Sequence, residues 1–176
     1  MKMDISNHPQ RKSIRIPSYD YSQNGAYFIT ICTQDRKQIL SQINVGTGVL
    51  DCPKIKLLPY GEIANKYIHQ LNDFYNHISV EKYVIMPDHI HILLSVNQGQ
   101  SGTPVPTEAK GIDHKNSTVS KFVSAFKRFC NKEFGKNIWQ NRFYDHVIRN
   151  QQDYDEIYAY IENNPLKWAL KKQGNG

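Results

Sequence analysis

Two short stretches of this 176-residue chain carry side chains that could do chemistry together. The first is His89-Ile90-His91. On a strand, residues i and i+2 point to the same face, so both imidazoles project together while Ile90 enters the opposite face. Two neutral imidazoles side by side can share a divalent metal, because histidine is a common ligand. Two histidines on a half-exposed strand face would give the same pattern. The preceding Met86-Pro87-Asp88 sets His89 at the start of its strand, near a sheet rim where a site can open to solvent. The second stretch holds Tyr160 and Asn164. At about 100° per residue, Tyr160 lies beside the apolar stripe Tyr154, Ile157, Tyr158 and Ile161, and Asn164 follows one turn later on the face of Tyr160. A phenol is a nucleophile once deprotonated, and a carboxamide oxygen is a hard ligand for a metal. A snorkelling tyrosine and a helix-terminal asparagine would look alike.

Basic residues form a third group. Lys plus Arg total 22 against 16 for Asp plus Glu, a formal net charge of +6. Lys121, Arg128 and Lys132 share one helix face, Arg142 and Arg149 flank the last strand, and Arg11, Lys12 and Arg15 lie near the start. Any one of them reads as a solvated charge. Together they read as contacts to a polyanion, with nucleic acid the first candidate and an anionic membrane the second. A mean hydropathy of -0.61 with no apolar run near the roughly 20 residues of a span excludes a transmembrane protein. The first residues have no apolar h-region, so no secretory signal is expected. Cys32, Cys52 and Cys130 are odd in number and widely spaced, without CxxC or zinc-ligand spacing. A disulfide framework is not expected, and the cytoplasm is the expected compartment. Tyr144, Asp145 and His146 are adjacent, and neighbouring strand residues face opposite ways, so they do not form a triad.

Periodicity supplies the elements that must position these groups. A polar, basic arm covers residues 1–18. Aromatic and β-branched residues over 26–33 predict a strand, and 36–58 reads as hairpin pieces and loop. Ile63, Tyr67, Leu71 and Phe74 predict a helix over 59–75. Apolar runs over 78–86 and 89–96, separated by Pro87 and Asp88, predict a hairpin. Residues 97–117 read as a flexible loop. Val119, Phe122, Val123, Phe126 and Cys130 form the apolar stripe of a second helix over 117–134. A strand follows over 138–148, then a helix over 151–164 that Pro165 stops, then a frayed tail over 172–176. This order predicts one α+β domain over 19–171, an antiparallel sheet with helices packed on it in a ferredoxin-like, split βαβ arrangement.

Four stretches in this order, GAYFITICTQDR, YVIMPDHIHILL, NIWQNRFYDHVIRN and YIENNPLKWAL, resemble the REP-associated tyrosine transposases. These belong to the HUH single-strand DNA nucleases related to the insertion-sequence single-tyrosine transposases. The resemblance covers roughly residues 11–171, and loop 97–117 is longer than the family pattern. The resemblance implies an RRM-like HUH nuclease fold. It makes His89 and His91 the metal-binding HUH pair, Tyr160 the nucleophile and Asn164 the third ligand, with Mg²⁺ or Mn²⁺ as the ion. It implies cleavage of single-stranded DNA near REP-like hairpins through a 5′-phosphotyrosine, with Arg11, Lys12 and Arg15 reading bases beside the hairpin. It also points to a monomer with its site in cis, where insertion-sequence relatives are intertwined dimers. Two further readings of the residues stay open. One is a non-catalytic module that stacks single-stranded nucleic acid on exposed aromatics. The other is a hydrolase using the HxH pair on a small substrate.

Overall fold

In this computed structural model, which describes residues 23–44, 53–97 and 117–173, the alternating run around the histidines becomes an interior strand of a four-stranded antiparallel sheet. The elements in chain order are β1 (Gly25–Cys32), β2 (Ser41–Asn44), β3 (Lys54–Leu57), α1 (Pro59–Phe74), β4 (Ile78–Ile85), β5 (His89–Val96), α2 (Thr118–Phe134), β6 (Tyr144–Ile148) and α3 (Gln151–Gln173). The sheet runs β4-β5-β1-β6, with β2 and β3 as a separate antiparallel pair. Omitting that pair and α3 leaves β-α-β-β-α-β, the expected ferredoxin-like order. The arm with Arg11, Lys12 and Arg15, and nearly all of loop 97–117, lie outside the described residues. Among the described residues no helix is long and apolar enough to cross a membrane.

Both faces of the sheet are covered, unequally. On one face Tyr27, Ile29 and Ile31 of β1 and Ile90, Ile92, Leu94 and Val96 of β5 meet Ala64, Ile68 and Leu71 of α1 and the Val119–Cys130 stripe of α2. Each such side chain contributes about 1.5–3 kcal/mol on full burial, so this layer dominates stability. On the other face the buried apolar set is Phe28, Val84, Met86, Leu93 and, from α3, Ile161. This smaller layer is supplemented by polar latches. Lys82 Nζ lies 3.3 Å from Glu162 Oε1 and 4.2 Å from the centre of the Tyr158 ring. A β-bulge between Val80 and Lys82 makes that reach possible. It moves the odd-even phase of β4 so that Lys82 pairs with Leu93 on the α3 face while Val80 packs on the other.

Two elements differ from expectation. Of the stretch 138–148, Tyr144–Ile148 is strand, and Trp139 joins only through an isolated bridge to Thr33. The reason is Lys127, whose Nζ donates to the carbonyls of Gln140 (2.7 Å), Asn141 (3.3 Å) and Arg142 (3.3 Å) and so engages them away from the ladder. Burial pushes that ammonium's pKa down to about 8. The last helix also does not stop at Pro165 but runs on to Gln173. Proline denies the Ile161 carbonyl a donor, at a cost of about 3 kcal/mol in a helix interior. The stripe Ile161, Asn164, Pro165, Trp168 and Ala169 nevertheless continues at spacings of three and four, largely buried, and packing along that line offsets the missing bond.

Gly61 marks the tightest join, between α1 and the segment entering β2. A Cβ there would sit 1.9 Å from the Leu40 carbonyl oxygen, which itself accepts from Leu58 N at 2.9 Å. Gly61→Ala must displace backbone, and is expected to lower unfolding free energy by about 3 kcal/mol, read by urea denaturation.

Candidate active site

β5 places its histidines by simple alternation, and cross-strand pairing supplies their neighbours. His91 stands opposite Thr30 of β1 and Val84 of β4, and His89 stands opposite Cys32. Directly opposed residues share a face. The two rings turn toward each other, with Nε2 to Nε2 at 3.0 Å. The outer nitrogens are engaged as well. His89 Nδ1 bonds to Asp88 Oδ1 and His91 Nδ1 lies 2.8 Å from Thr30 Oγ1. The turn carrying Asp88 is pinned from behind, because Thr33 donates its N–H and its hydroxyl to the Asp88 carbonyl, each at 3.0 Å.

This donor set fits a divalent ion. A carboxylate on His89 Nδ1 selects the Nδ1–H tautomer and leaves Nε2 as a lone pair. If the Thr30 oxygen accepts from His91 Nδ1, the second Nε2 is also a lone pair, and the two face each other where a shared cation would relieve their repulsion. His91 is held neutral, its pKa pushed down to about 3 by burial, then by His89 and the Arg36 cation. Among the described residues no three His, Cys, Asp or Glu cluster for a metal, and the nearby donor of another kind is a carboxamide.

Helix α3 brings that donor type over the histidines. The ring of Tyr160 packs against His91, centroids 5.3 Å apart, and against Phe28 at 5.9 Å. Two turns on, Trp168 packs 5.9 Å from His89. Asn164 lies between them on the same line of the helix and is buried at 8% exposure, whereas Tyr160 keeps 38% of its surface open. Tyr160, His89 and His91 thus meet at one sheet–helix interface, with Asn164 one turn beyond Tyr160 on the same line of α3. The start of α3 is fixed by Asn150 and Asp153. Asn150 Oδ1 accepts from Asp153 N at 2.9 Å, while Asp153 accepts from Arg149 N at 3.1 Å and from His146 Nε2 at 2.9 Å. Burial alone would raise the Asp153 pKa, but the His146 and Arg149 hydrogen bonds outweigh it and hold it below the usual range.

The predicted basic residues are not all gathered here. Lys121, Arg128 and Lys132 are exposed on α2, across the sheet from α3. Arg142 and Arg149 are exposed at the two ends of β6, the edge strand that β1 separates from the histidine strand β5. The sequence reading missed Thr30, Trp168, Lys167 and Arg36. Lys167 Nζ lies 5.4 Å from the centre of the Tyr160 ring, and its spacing of seven from Tyr160 is a signal that helical periodicity offers. Thr30 needed the β1–β5 register, which no local pattern carries.

Burial of neutral His91 has a consequence for acid stability. Its folded pKa of about 3 lies below the ordinary 6.5, so between these values the unfolded chain binds a proton that the folded one refuses. The stabilisation is complete above pH 6.5 and is lost as pH falls toward 3. Melting temperatures of the metal-free protein are expected to drop through that window, and His91→Gln is expected to flatten the drop.

Comparison with known proteins places the chain. The family model described as "Transposase IS200 like" matches residues 21–164, a span that includes His89, His91, Tyr160 and Asn164. An uncharacterized protein of Haemophilus influenzae is 29% identical over 168 residues, covering 90% of this chain and 89% of its own. A REP-associated tyrosine transposase of Escherichia coli is 31% identical over 94 residues, covering 53% of this chain and 48% of its own. The solved structure of a REP-associated tyrosine transposase bound to a REP hairpin superposes with a TM-score of 0.58 at 22% identity, over 87% of this chain and 73% of that one, which agrees in fold. With a shared fold and a family match over most of its length, the chain belongs to the IS200-like transposases and is an enzyme of the HUH single-tyrosine class.

Proposed function

We propose that this transposase is a divalent-metal-dependent single-strand DNA endonuclease and strand transferase that cleaves beside hairpins through Tyr160. The observation that carries the reading is the edge-on packing of the Tyr160 ring against His91, whose Nε2 meets that of His89 at 3.0 Å. It puts a solvent-reachable phenol beside a paired-imidazole site. A hairpin partner is supported by the REP hairpin held by the structural neighbour.

His89, His91 and the Asn164 carboxamide are the residues that would hold the ion. When bound, Mg²⁺ or Mn²⁺ would supply charge neutralisation at the scissile phosphate. The chain's own groups do the rest. Asp88 and Thr30 fix the imidazole orientations. An ordinary phenol has a pKa of about 10 and is mostly protonated at neutral pH, so the Tyr160 proton must leave as its oxygen attacks phosphorus. The phosphorus–O3′ bond breaks, O3′ takes up a proton, and a 5′-phosphotyrosine remains. That bond retains the phosphodiester energy, so a DNA 3′-OH can reverse the step and join strands without ATP. Lys167, over the phenol ring, supplies a fixed cation beside the attacked phosphate.

Incubation with a hairpin-bearing single-stranded oligonucleotide and Mn²⁺ is expected to give a covalent adduct visible by denaturing gel. Tyr160→Phe should abolish the adduct and retain DNA binding; an adduct formed by this variant would sink the assignment. His89→Ala should lose cleavage and keep most binding. Asp88→Asn should weaken Mn²⁺ binding by about ten- to hundred-fold in calorimetry, by freeing the His89 ring.

A further inference from the structure

We propose that Arg36 is a substrate-binding residue that grips a phosphodiester next to the one facing the His89–His91 pair. The assignment rests on the single-strand DNA reading above. Arg36 follows the end of β1, the strand beside β5, in a tight turn over Gln34–Arg36. Both Asp35 and Arg36 sit at φ 54°, left-handed backbone that non-glycine residues seldom adopt. The turn is clamped in that form. Gln34 N donates to the Ile138 carbonyl at 2.7 Å, Arg36 N donates to the Thr33 carbonyl at 3.2 Å, and the Thr33 hydroxyl shares its one proton between the carbonyls of Lys37 at 2.9 Å and Asp88 at 3.0 Å.

The clamped turn aims the guanidinium at the site. Arg36 Nη1 lies 3.7 Å from Asp88 Oδ2, the oxygen of Asp88 that does not bind His89. That separation exceeds a hydrogen bond, and 54% of the Arg36 side chain is exposed. A loose surface pair of this kind contributes little stability, so it does not account for two consecutive strained residues. A guanidinium has five donors in a planar fork matched to phosphate oxygens, and this geometry leaves most of them facing solvent. Arg36 stands on the Asp88 side of the imidazoles, and Lys167 stands on the Tyr160 side. A strand crossing the histidine pair therefore meets one cation on each side, so the two cations can serve different phosphates.

The test uses the non-cleaving Tyr160→Phe protein in EDTA, with a hairpin-bearing single-stranded oligonucleotide, its affinity measured across a salt series. Adding Arg36→Gln should weaken binding several-fold and make the slope of log K against log salt shallower by about 0.7, one phosphate contact on a single strand. Arg36→Lys should restore the slope but not the full affinity, because an ammonium lacks the fork. Arg36→Asn, a residue that tolerates positive φ, controls for backbone strain and should match Arg36→Gln. An unchanged slope and affinity in both neutral variants would overturn the assignment and leave Arg36 as a support for Asp88. Absence of salt-dependent binding by the Tyr160→Phe protein itself would instead overturn the DNA reading, and this assignment with it.

Discussion

The structure turns on the enclosure of two imidazoles between a sheet and a single helix. Burial holds His91 uncharged, and each nitrogen of an enclosed imidazole needs a partner. The second demand is met locally for the outer nitrogens only. Asp88 and Thr30 take the outer nitrogens, and the inner nitrogens are left to each other. From this constraint follow the pinning of the Pro87-Asp88 turn by Thr33, the β1–β5 register that sets Thr30 beside His91, and the aromatic lid of Tyr160 and Trp168.

The unequal layers divide the work. The α1/α2 side carries the large apolar core and the α3 side carries the proposed site. A helix held mainly by Ile161, partly buried aromatics and a few ion pairs can leave Tyr160 open to substrate without weakening the fold beneath it. The bulge in β4 belongs to the same division, because it turns Lys82 toward α3.

Much of this was legible in the residues, because periodicity reports burial. The apolar run His89–Val96 announced the second strand of a hairpin, and the spacing of Tyr160 and Asn164 announced a shared helix face. Even the bulge leaves a trace, since Glu81-Lys82 interrupts the alternation of Ile78, Val80, Tyr83 and Ile85. Illegible were the features set by contacts distant in sequence. Thr30 and Arg36 enter the site through strand pairing and a strained turn. The helix passes Pro165 because tertiary packing outweighs a local rule, and residues 141 and 142 leave the ladder where Lys127 of α2 engages their carbonyls.

The three-residue connection between β4 and β5 has a consequence for how such a chain can diverge. With Ile85 paired to Ile90 across Pro87-Asp88, the parity of every later residue in β5 is counted from that turn. Substitutions on the α1/α2 face can exchange one aliphatic for another without touching the site. A single-codon insertion or deletion between residues 86 and 91 is different in kind, since it would exchange the places of imidazoles and isoleucines and spoil both layers at once. Lineages of this fold should therefore accumulate replacements along β5 while length changes gather elsewhere.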